Sequence, residues 1–279
     1  MKKRLLLSLA ALVLLTTSCN ADSDEKELSN KEKSVALLKS IETGEKEPIA
    51  YINPNKYIQH NLGIADGLAG FGAALSQLPE GSARVNIVRA FEDGDYVFTH
   101  TDYNFFGEKA GFDIFRFENG LIVEHWDNLA VKTPANPSGR TQLDGPTKIT
   151  DLEKTSDNKE FVKKFVNDIL VEGKMETMSS FFDGDNYIQH NSQIADQLSG
   201  LGKALQAMAK QGIFMKYNKI HMVLGEGNFI LTVSEGTLGG ELKSFYDLFR
   251  VENGKIAEHW DIIETIPAKE MWKNNNGKF

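Results

Sequence analysis

Most of this chain is written twice, and that limits what it can fold into more than any other feature. Tyr57-Ile58-Gln59-His60-Asn61 recurs as Tyr187-Ile188-Gln189-His190-Asn191, and the match continues through Ile64-Ala65-Asp66 and Ile194-Ala195-Asp196 to Gly70 and Gly72, Gly200 and Gly202. A second block, Asp113 to Asp127, returns as Asp247 to Asp261 with its Glu-Asn-Gly and Glu-His-Trp-Asp elements intact. Two copies are too few for a solenoid, whose repeats must stack to share a core. A unit of about 110 residues is instead the size of one autonomous domain. The chain is therefore read as a tandem duplication, and the residues both copies keep are the first candidates for its function.

The N-terminus reads as an export signal. Lys2-Lys3-Arg4 is a basic start, and the apolar run Leu5 to Leu15 is too short to span a bilayer, which takes about 20 residues, but suits a secretory leader. The run ends in Leu15-Thr16-Thr17-Ser18-Cys19, small residues before the single cysteine of the chain. That pattern resembles the lipobox of bacterial lipoproteins, with Thr16 where the motif usually has Leu, and implies lipidation of Cys19. The alternative is an ordinary cleaved leader with an incidental cysteine. One cysteine leaves no intramolecular disulfide, so the cores must hold unaided. Removing residues 1–18, with Lys2, Lys3 and Arg4, takes the formal charge from −8 to −11. A nucleic-acid partner is not expected of so acidic a protein, and membrane attachment is expected through lipid on Cys19 and not through a basic surface. The expected location is a membrane-anchored exported lipoprotein, periplasmic or on the cell surface.

Each copy reads helices first and strands second. In the second copy Phe161, Phe165, Ile169 and Leu170 recur at helical spacing, and Leu198, Leu201, Leu205 and Met208 share one face of a helix over about 195–210. Strand-like runs follow at 216–224, 228–235, 241–251 and 255–266, separated by glycine turns. The first copy gives helices near 31–41 and 67–78 and strands near 84–91, 95–104, 109–118 and 121–132. The expected division is a leader over 1–18, an acidic tether over 19–30, a first domain over 31–133, a linker over 134–156 and a second domain over 157–279. Segregated helices and strands indicate an α+β fold with a curved antiparallel sheet packed on helices.

Tyr-Ile-Gln-His-Asn ahead of a helix, with Asp-x-Phe-Arg-x-Glu-Asn-Gly-x-Ile-x-Glu-His-Trp-Asp as the last hairpin, resembles the SnoaL-like branch of the nuclear-transport-factor-2-like superfamily. The resemblance covers both copies, and the tail Asn274 to Phe279 looks like an end typical of that branch. It implies a cone in each half, a strongly bent sheet wrapped round about three helices with an apolar pocket inside. Members of the branch include polyketide cyclases that run an intramolecular aldol condensation without metal or cofactor. The superfamily also holds isomerases, dehydratases, epoxide hydrolases and non-catalytic binding domains, so the fold leaves the reaction open. Its outer sheet face is commonly a dimer surface, which implies an internal pseudo-dimer of the two copies, with further homo-oligomers open.

Strand alternation puts Val123, His125 and Asp127 on one face of the hairpin and Ile122, Glu124 and Trp126 on the other. A three-residue Glu118-Asn119-Gly120 turn sets Asp113 opposite His125, whereas a two-residue Asn-Gly turn sets His125 opposite Ile114. The first register is preferred because it gives each imidazole an acceptor. The pocket then holds Asp113, Phe115, Val123, His125 and Asp127, and in the second copy Asp247, Phe249, Ala257, His259 and Asp261. Arg116 with Glu124, Arg250 with Glu258, Trp126 and Trp260 take the outer face.

Asp113, His125, Asp127, Asp247, His259 and Asp261 are candidate acid–base groups for proton transfer alpha to a carbonyl. His100, opposite Val233 in the alignment, is an additional candidate in the first copy. Tyr57, His60, Asn61, Tyr187, His190 and Asn191 are candidate ligand contacts at the mouth of each cone, with Phe115, Trp126, Phe249 and Trp260 as further ligand-binding candidates. The plain alternatives are a satisfied buried polar pair for each Asp–His and local capping for the His-Asn segment. Metal binding by His60, His100, His125 and Asp127 has only weak spacing in its favour, and neither metal nor cofactor is expected. The expected ligand is a small apolar carbonyl-type molecule. An enzyme of the aldol or isomerase type and a non-catalytic binding protein stand level, with a purely structural lipoprotein behind them.

Overall fold

The structure, a computed structural model, describes residues 27–79 and 81–279; the leader, Cys19 and most of the acidic tether lie outside the described residues. The fold is α+β, with two five-stranded sheets in two cone-like halves. The first half runs α1 (Asn30–Thr43), β1 (Ile58–Gln59), α2 (Gly67–Leu75), β2 (Arg84–Asp93), β3 (Tyr96–Asn104), β4 (Glu108–Glu118) and β5 (Leu121–Val131). The second runs α3 (Thr155–Phe165), β6 (Ile188–Gln189), α4 (Leu198–Lys210), β7 (Met215–Glu226), β8 (Phe229–Leu238), β9 (Glu241–Glu252) and β10 (Lys255–Thr265). α1 covers the helix expected near 31–41 and extends it by a residue or two at each end. Ser29 accepts from the Glu32 amide while the Glu32 carboxylate accepts from Ser29, a reciprocal cap on two otherwise unpaired donors. α3 continues into one π-helical turn over Val166–Val171. No helix among the described residues is long and apolar enough to cross a membrane.

The sheet orders are β1-β5-β4-β3-β2 and β6-β10-β9-β8-β7. All ladders are antiparallel except those of the two-residue strands β1 and β6, which pair in parallel with β5 and β10. That exception matters for the site, because it lays Gln59 alongside His125 and Gln189 alongside His259.

The terminal hairpin corrects the expected register. Asn119 and Gly120 both sit at positive φ, 51° and 74°, as do Asn253 and Gly254 at 51° and 71°, so each turn has two central residues. Glu118 therefore faces Leu121, and Phe117 faces Ile122. One residue, Val123, is then skipped in a bulge, after which Arg116 faces Glu124, Phe115 faces His125 and Asp113 faces Asp127. The second half does the same around Ala257. The tighter turn and the bulge each move the ladder by one residue, so the two shifts together preserve which face His125 and Asp127 occupy. They do change the residue before the bulge: Ile122 and Ile256, not Val123 and Ala257, join the inner cores.

The inner faces pack on helices. Leu37, Leu38, Val85, Phe115 and Ile122 form the first core, and Val162, Phe165, Phe245, Phe249 and Ile256 the second. The outer faces pack on each other. Phe91, Phe98, Phe112, Ile114 and Trp126 of the first sheet form one buried cluster with Leu224, Leu231, Tyr246, Leu248 and Trp260 of the second. Asn128 adds a polar clasp, its amide donating to the Ser244 and Ile262 carbonyls across the boundary at 2.9 and 2.8 Å.

The segments that follow β5 and β10 are exchanged between halves. Asn136 donates to the Gln189 and Ile194 carbonyls of the second half, and Arg140 pairs with Asp196. Reciprocally, Asn274 donates to the Asn61 and Ile64 carbonyls of the first half, and Asn276 to the Gln59 carbonyl. Arg89 locks the linker. Its guanidinium lies 4.4 Å over the Trp260 ring and donates to the Leu143, Asp144 and Pro146 carbonyls. Burial brings its pKa down to about 10. Gly145 passes over this point with φ +96°, and a Cβ there would stand 2.8 Å from both Trp260 and Glu258. Gly145→Ala is therefore expected to lower stability by roughly 2 kcal/mol, as strained backbone does, read by urea denaturation of the full chain; a loss below about 0.5 kcal/mol, the range of a neutral surface change, would show that the linker is not pressed there.

Candidate functional site

Each half encloses a cavity between helices and inner sheet face, of about 330 Å³ in the first half and about 480 Å³ in the second. Tyr57, Asn61, Asp113, Phe115, His125 and Asp127 line the first, and Tyr187, Asn191, Asp247, Phe249, His259 and Asp261 line the second. The walls are otherwise largely apolar, with Leu37, Phe71 and Leu75 in one and Leu201, Ala204 and Met208 in the other. Each half also receives wall from its neighbour: Lys273 reaches the first cavity, Val131 and Gln142 the second.

The polar cluster forms because the register brings Asp113 beside Asp127 on adjacent strands, with His125 two residues along the second. His125 Nε2 lies 3.3 Å from Asp113 Oδ1, and His259 Nε2 lies 3.0 Å from Asp247 Oδ1. The other ring nitrogen, Nδ1, is 3.1 Å from the side-chain oxygen of Gln59 or Gln189. Those amide oxygens already accept from backbone N–H groups, Asn61 in the first half, His190 and Asn191 in the second. The glutamines are thereby held oxygen-inward, so Nδ1 must be the donor and Nε2 is the nitrogen that exchanges a proton with the aspartate.

The two aspartates of each cluster are treated differently. Asp113 accepts from His125 and, at 2.7 Å, from the Tyr103 hydroxyl; Asp247 accepts from His259 and from Tyr217 at 3.1 and 3.2 Å. Burial pushes the Asp113 carboxyl up, and these hydrogen bonds offset it only in part. Burial, reinforced by the adjacent aspartate, holds both phenols well above their usual range, so they remain donors. Asp127 takes one hydrogen bond, from the Asn61 amide at 2.7 Å, and its Oδ1 has no hydrogen-bond partner among the described residues. The Lys278 ammonium stands 3.9 Å from that oxygen. Asp261 accepts only from Asn191, at 2.8 and 3.0 Å, and burial pushes it up as well.

Three atoms, one from each of Asp113, His125 and Asp127, lie within 4.8 Å of one another, as do their counterparts from Asp247, His259 and Asp261, so either triad could converge on a cation. Nε2 and Oδ1 stand 3.3 and 3.0 Å apart in the two halves, a spacing that suits a shared proton and equally two ligands of one ion, so a cation would displace that proton without moving either side chain.

Five of the expected site residues are elsewhere. His60 and His190 do not reach the cavities. Each stacks on a tryptophan of the outer face, Trp126 at 4.7 Å and Trp260 at 4.5 Å, and its Nε2 contacts Glu124 or Glu258. The opposite nitrogen meets the exchanged segments, Gly277 O for His60 and Thr141 O for His190. Alternation along the two-residue strand explains this, since Gln59 and Gln189 point inward and the next residue points out. Trp126 and Trp260 belong to the buried cluster between halves and not to a ligand wall. His100 is also on the outer face, where Arg89 donates to its Nδ1 at 3.0 Å. Burial and the guanidinium hold it well below the usual imidazole range, as a neutral ring. Gln59, Gln189, Tyr103 and Tyr217 are the contacts of the cluster that sequence reading missed. The glutamines sit in the repeated pentapeptide and were available; the tyrosines do not align between copies.

No family model and no curated protein matches the sequence. Among solved structures, the chain is similar to an NTF2-like protein of unknown function from Cytophaga hutchinsonii, with 14% identity over 38% of this chain and 94% of that one and a TM-score of 0.33. It is similar to IdmH of Streptomyces antibioticus, a candidate polyketide cyclase, with 18% identity over 38% of this chain and 91% of that one and a TM-score of 0.31. A third, an NTF2-like protein of unknown function from Burkholderia xenovorans, has 17% identity over 39% of this chain and 88% of that one, with a TM-score of 0.34.

Proposed function

We propose that each half binds a compact, mostly apolar carbonyl compound and moves a proton on the carbon alpha to its carbonyl, with Asp127 and Asp261 as the proton-transfer groups. The observation that carries this reading is the unequal treatment of the two carboxylates. Asp113 and Asp247 are saturated by a phenol and an imidazole, while Asp127 and Asp261 each accept from one side-chain amide, Asn61 or Asn191, with the Lys278 ammonium 3.9 Å from Asp127. A base needs a free lone pair and a fixed direction, and this arrangement supplies both. His125 and His259 have no nitrogen left for a ligand, so their part is electrostatic. A proton resting on Nε2 places positive charge within 4.8 Å of the base and beside the oxygen of a developing enolate. The apolar walls exclude water, and so strengthen each of these interactions. No cofactor is called for by this chemistry.

A second reading, capture of an apolar metabolite without turnover, is favoured by the same imidazoles. A ring tied at both nitrogens is also what a static binding pocket would build. Export and anchoring are proposed from the leader and Cys19: Cys19→Ser is expected to abolish metabolic incorporation of labelled palmitate, and labelling that persists would remove the lipoprotein assignment.

Deuterium exchange alpha to the carbonyl in a panel of apolar ketones tests the enzymatic reading. Asp127→Asn and Asp261→Asn are each expected to remove one of two contributions, with a loss of at least about 10²-fold when combined, the usual contribution of a positioned base. A double variant that exchanges at the wild-type rate would remove the assignment; retention of a ligand with no exchange in the wild type would leave the binding reading.

The acid limb should be informative in the Asp127→Asn background. Burial raises Asp261, so the remaining exchange should fall on acidification at a pH above the ordinary aspartate range. Stability has the opposite slope. A carboxyl raised in the folded state contributes stability that is present below its unfolded pKa and lost as pH rises through the folded value, so ionised Asp113 is a cost at neutral pH. Asp113→Asn should then stabilise the fold at pH 7 by on the order of 1 kcal/mol, with the gain vanishing in acid; a destabilised variant would show that the Asp113–His125 contact outweighs burial.

A further inference from the structure

Along their inner faces the two sheets correspond position by position. Thr99 and Thr101 on β3 are matched by Thr232 and Ser234 on β8, and Asp113 on β4 by Asp247 on β9. Three adjoining positions break the correspondence together. In the first half Val85 pairs with Tyr103, and Gly111 pairs with Thr101. In the second, Tyr217 pairs with Gly236, and Phe245 pairs with Ser234. The tyrosine stands on β3 in the first half and on β7, the counterpart of β2, in the second, yet both hydroxyls end on the corresponding carboxylate. Tyr103 reaches Asp113 at 2.7 Å and Tyr217 reaches Asp247 at 3.1 and 3.2 Å.

Neither arrangement tolerates the residues of the other. A Cβ on Gly111 would stand 2.6 Å from the Tyr103 ring, whereas at the matching place Phe245 stacks on Tyr217 at 4.3 Å. A Cβ on Gly236 would stand 2.1 Å from the Lys216 carbonyl and 2.9 Å from the Tyr217 Cα. Interchange therefore takes three coordinated changes, and what survives them is the bond from phenol to carboxylate. Packing alone gives no reason for that survival. Phenylalanine would fill either space without a hydroxyl that must find a partner in a dry interior.

We propose that Tyr103 and Tyr217 are positioning residues for the acid–base cluster, supplied from different strands because the requirement is a phenol on the inner carboxylate and not a residue at one place. By donating to that carboxylate the phenol draws off negative charge and makes the oxygen facing the imidazole a weaker base. The shared proton then rests on Nε2 of His125 or His259, where its charge acts on Asp127 or Asp261. The consequence for turnover rests on the proton-transfer reading above, but the position of the proton is measurable without substrate.

The experiment is imidazole ¹H–¹⁵N spectroscopy of the full chain at neutral pH, for the wild type, Tyr103→Phe and Tyr217→Phe, both of which keep the ring. Tyr103→Phe should move the Nε2 signal of His125 toward the unprotonated range and leave His259 unchanged; Tyr217→Phe should do the reverse. Exchange by the affected half should fall about tenfold, the worth of one hydrogen bond to a charged group. The combined change Val85→Tyr, Tyr103→Gly and Gly111→Phe, which rebuilds the second arrangement in the first half, should return the His125 signal. If each Tyr→Phe variant stays folded and leaves the imidazole of its own half unmoved, the phenols only fill space and the proposal falls. Signals that move as expected in a protein that exchanges no ketone would retain the positioning role and remove the proton-transfer reading instead.

Discussion

An imidazole with both nitrogens engaged sets the terms for everything else in each half of this protein. Gln59 and Gln189 are turned oxygen-inward by backbone amides, which forces a proton onto Nδ1 of His125 and His259. Nε2 then has one neighbour, the inner aspartate, and one proton between them. Neither ring nitrogen is left for a ligand, although the ring lines the cavity, and this is why the proposed chemistry is assigned to the second carboxylate, Asp127 or Asp261. The proposed division of labour between two adjacent acids rests on unequal surroundings, one saturated by donors and one accepting from a single asparagine amide, with the Lys278 ammonium near it in the first half.

The surroundings exist because the halves pack back to back. Each outer sheet face carries an apolar patch that is costly to leave in water; joined, the two patches form one buried cluster around Trp126 and Trp260. The exchanged segments complete the arrangement. Asn136 and Asn274 each cross over to fasten the loop just after β6 or β1, so the placement of Asn191 depends on the first half's tail and that of Asn61 on the second half's. The cavities are not copies of one another. They differ in volume, in the strand that supplies the phenol, and in the Lys278 ammonium that stands beside Asp127.

Much of the fold was legible because the repeat marks it. The glycine turns between strands, the helical spacing in each half and the alternation along the hairpin each carry a local physical signature. The hairpin register was not legible, since its two-residue turn and its bulge at Val123 add up to a shift of two residues and so leave the same facial pattern as the register expected. His60 and His190 misled because identity between copies does not say which way a residue points; their imidazoles are conserved between halves to stack on tryptophan and hold the exchanged segments. Tyr103 and Tyr217 went unseen for the converse reason. Reading function from what both copies keep hides any group that each copy supplies from a different strand.

Neutron diffraction from deuterated crystals would locate the hydrogens on which this account depends. A deuteron on Nδ1 of both His125 and His259, directed at the glutamine oxygen, with a second between Nε2 and the inner aspartate and none on Asp127, is the expected result. Rings lacking a deuteron on Nδ1, or turned so that Nε2 faces the open cavity, would contradict it and return the histidines to the role of direct acid or base.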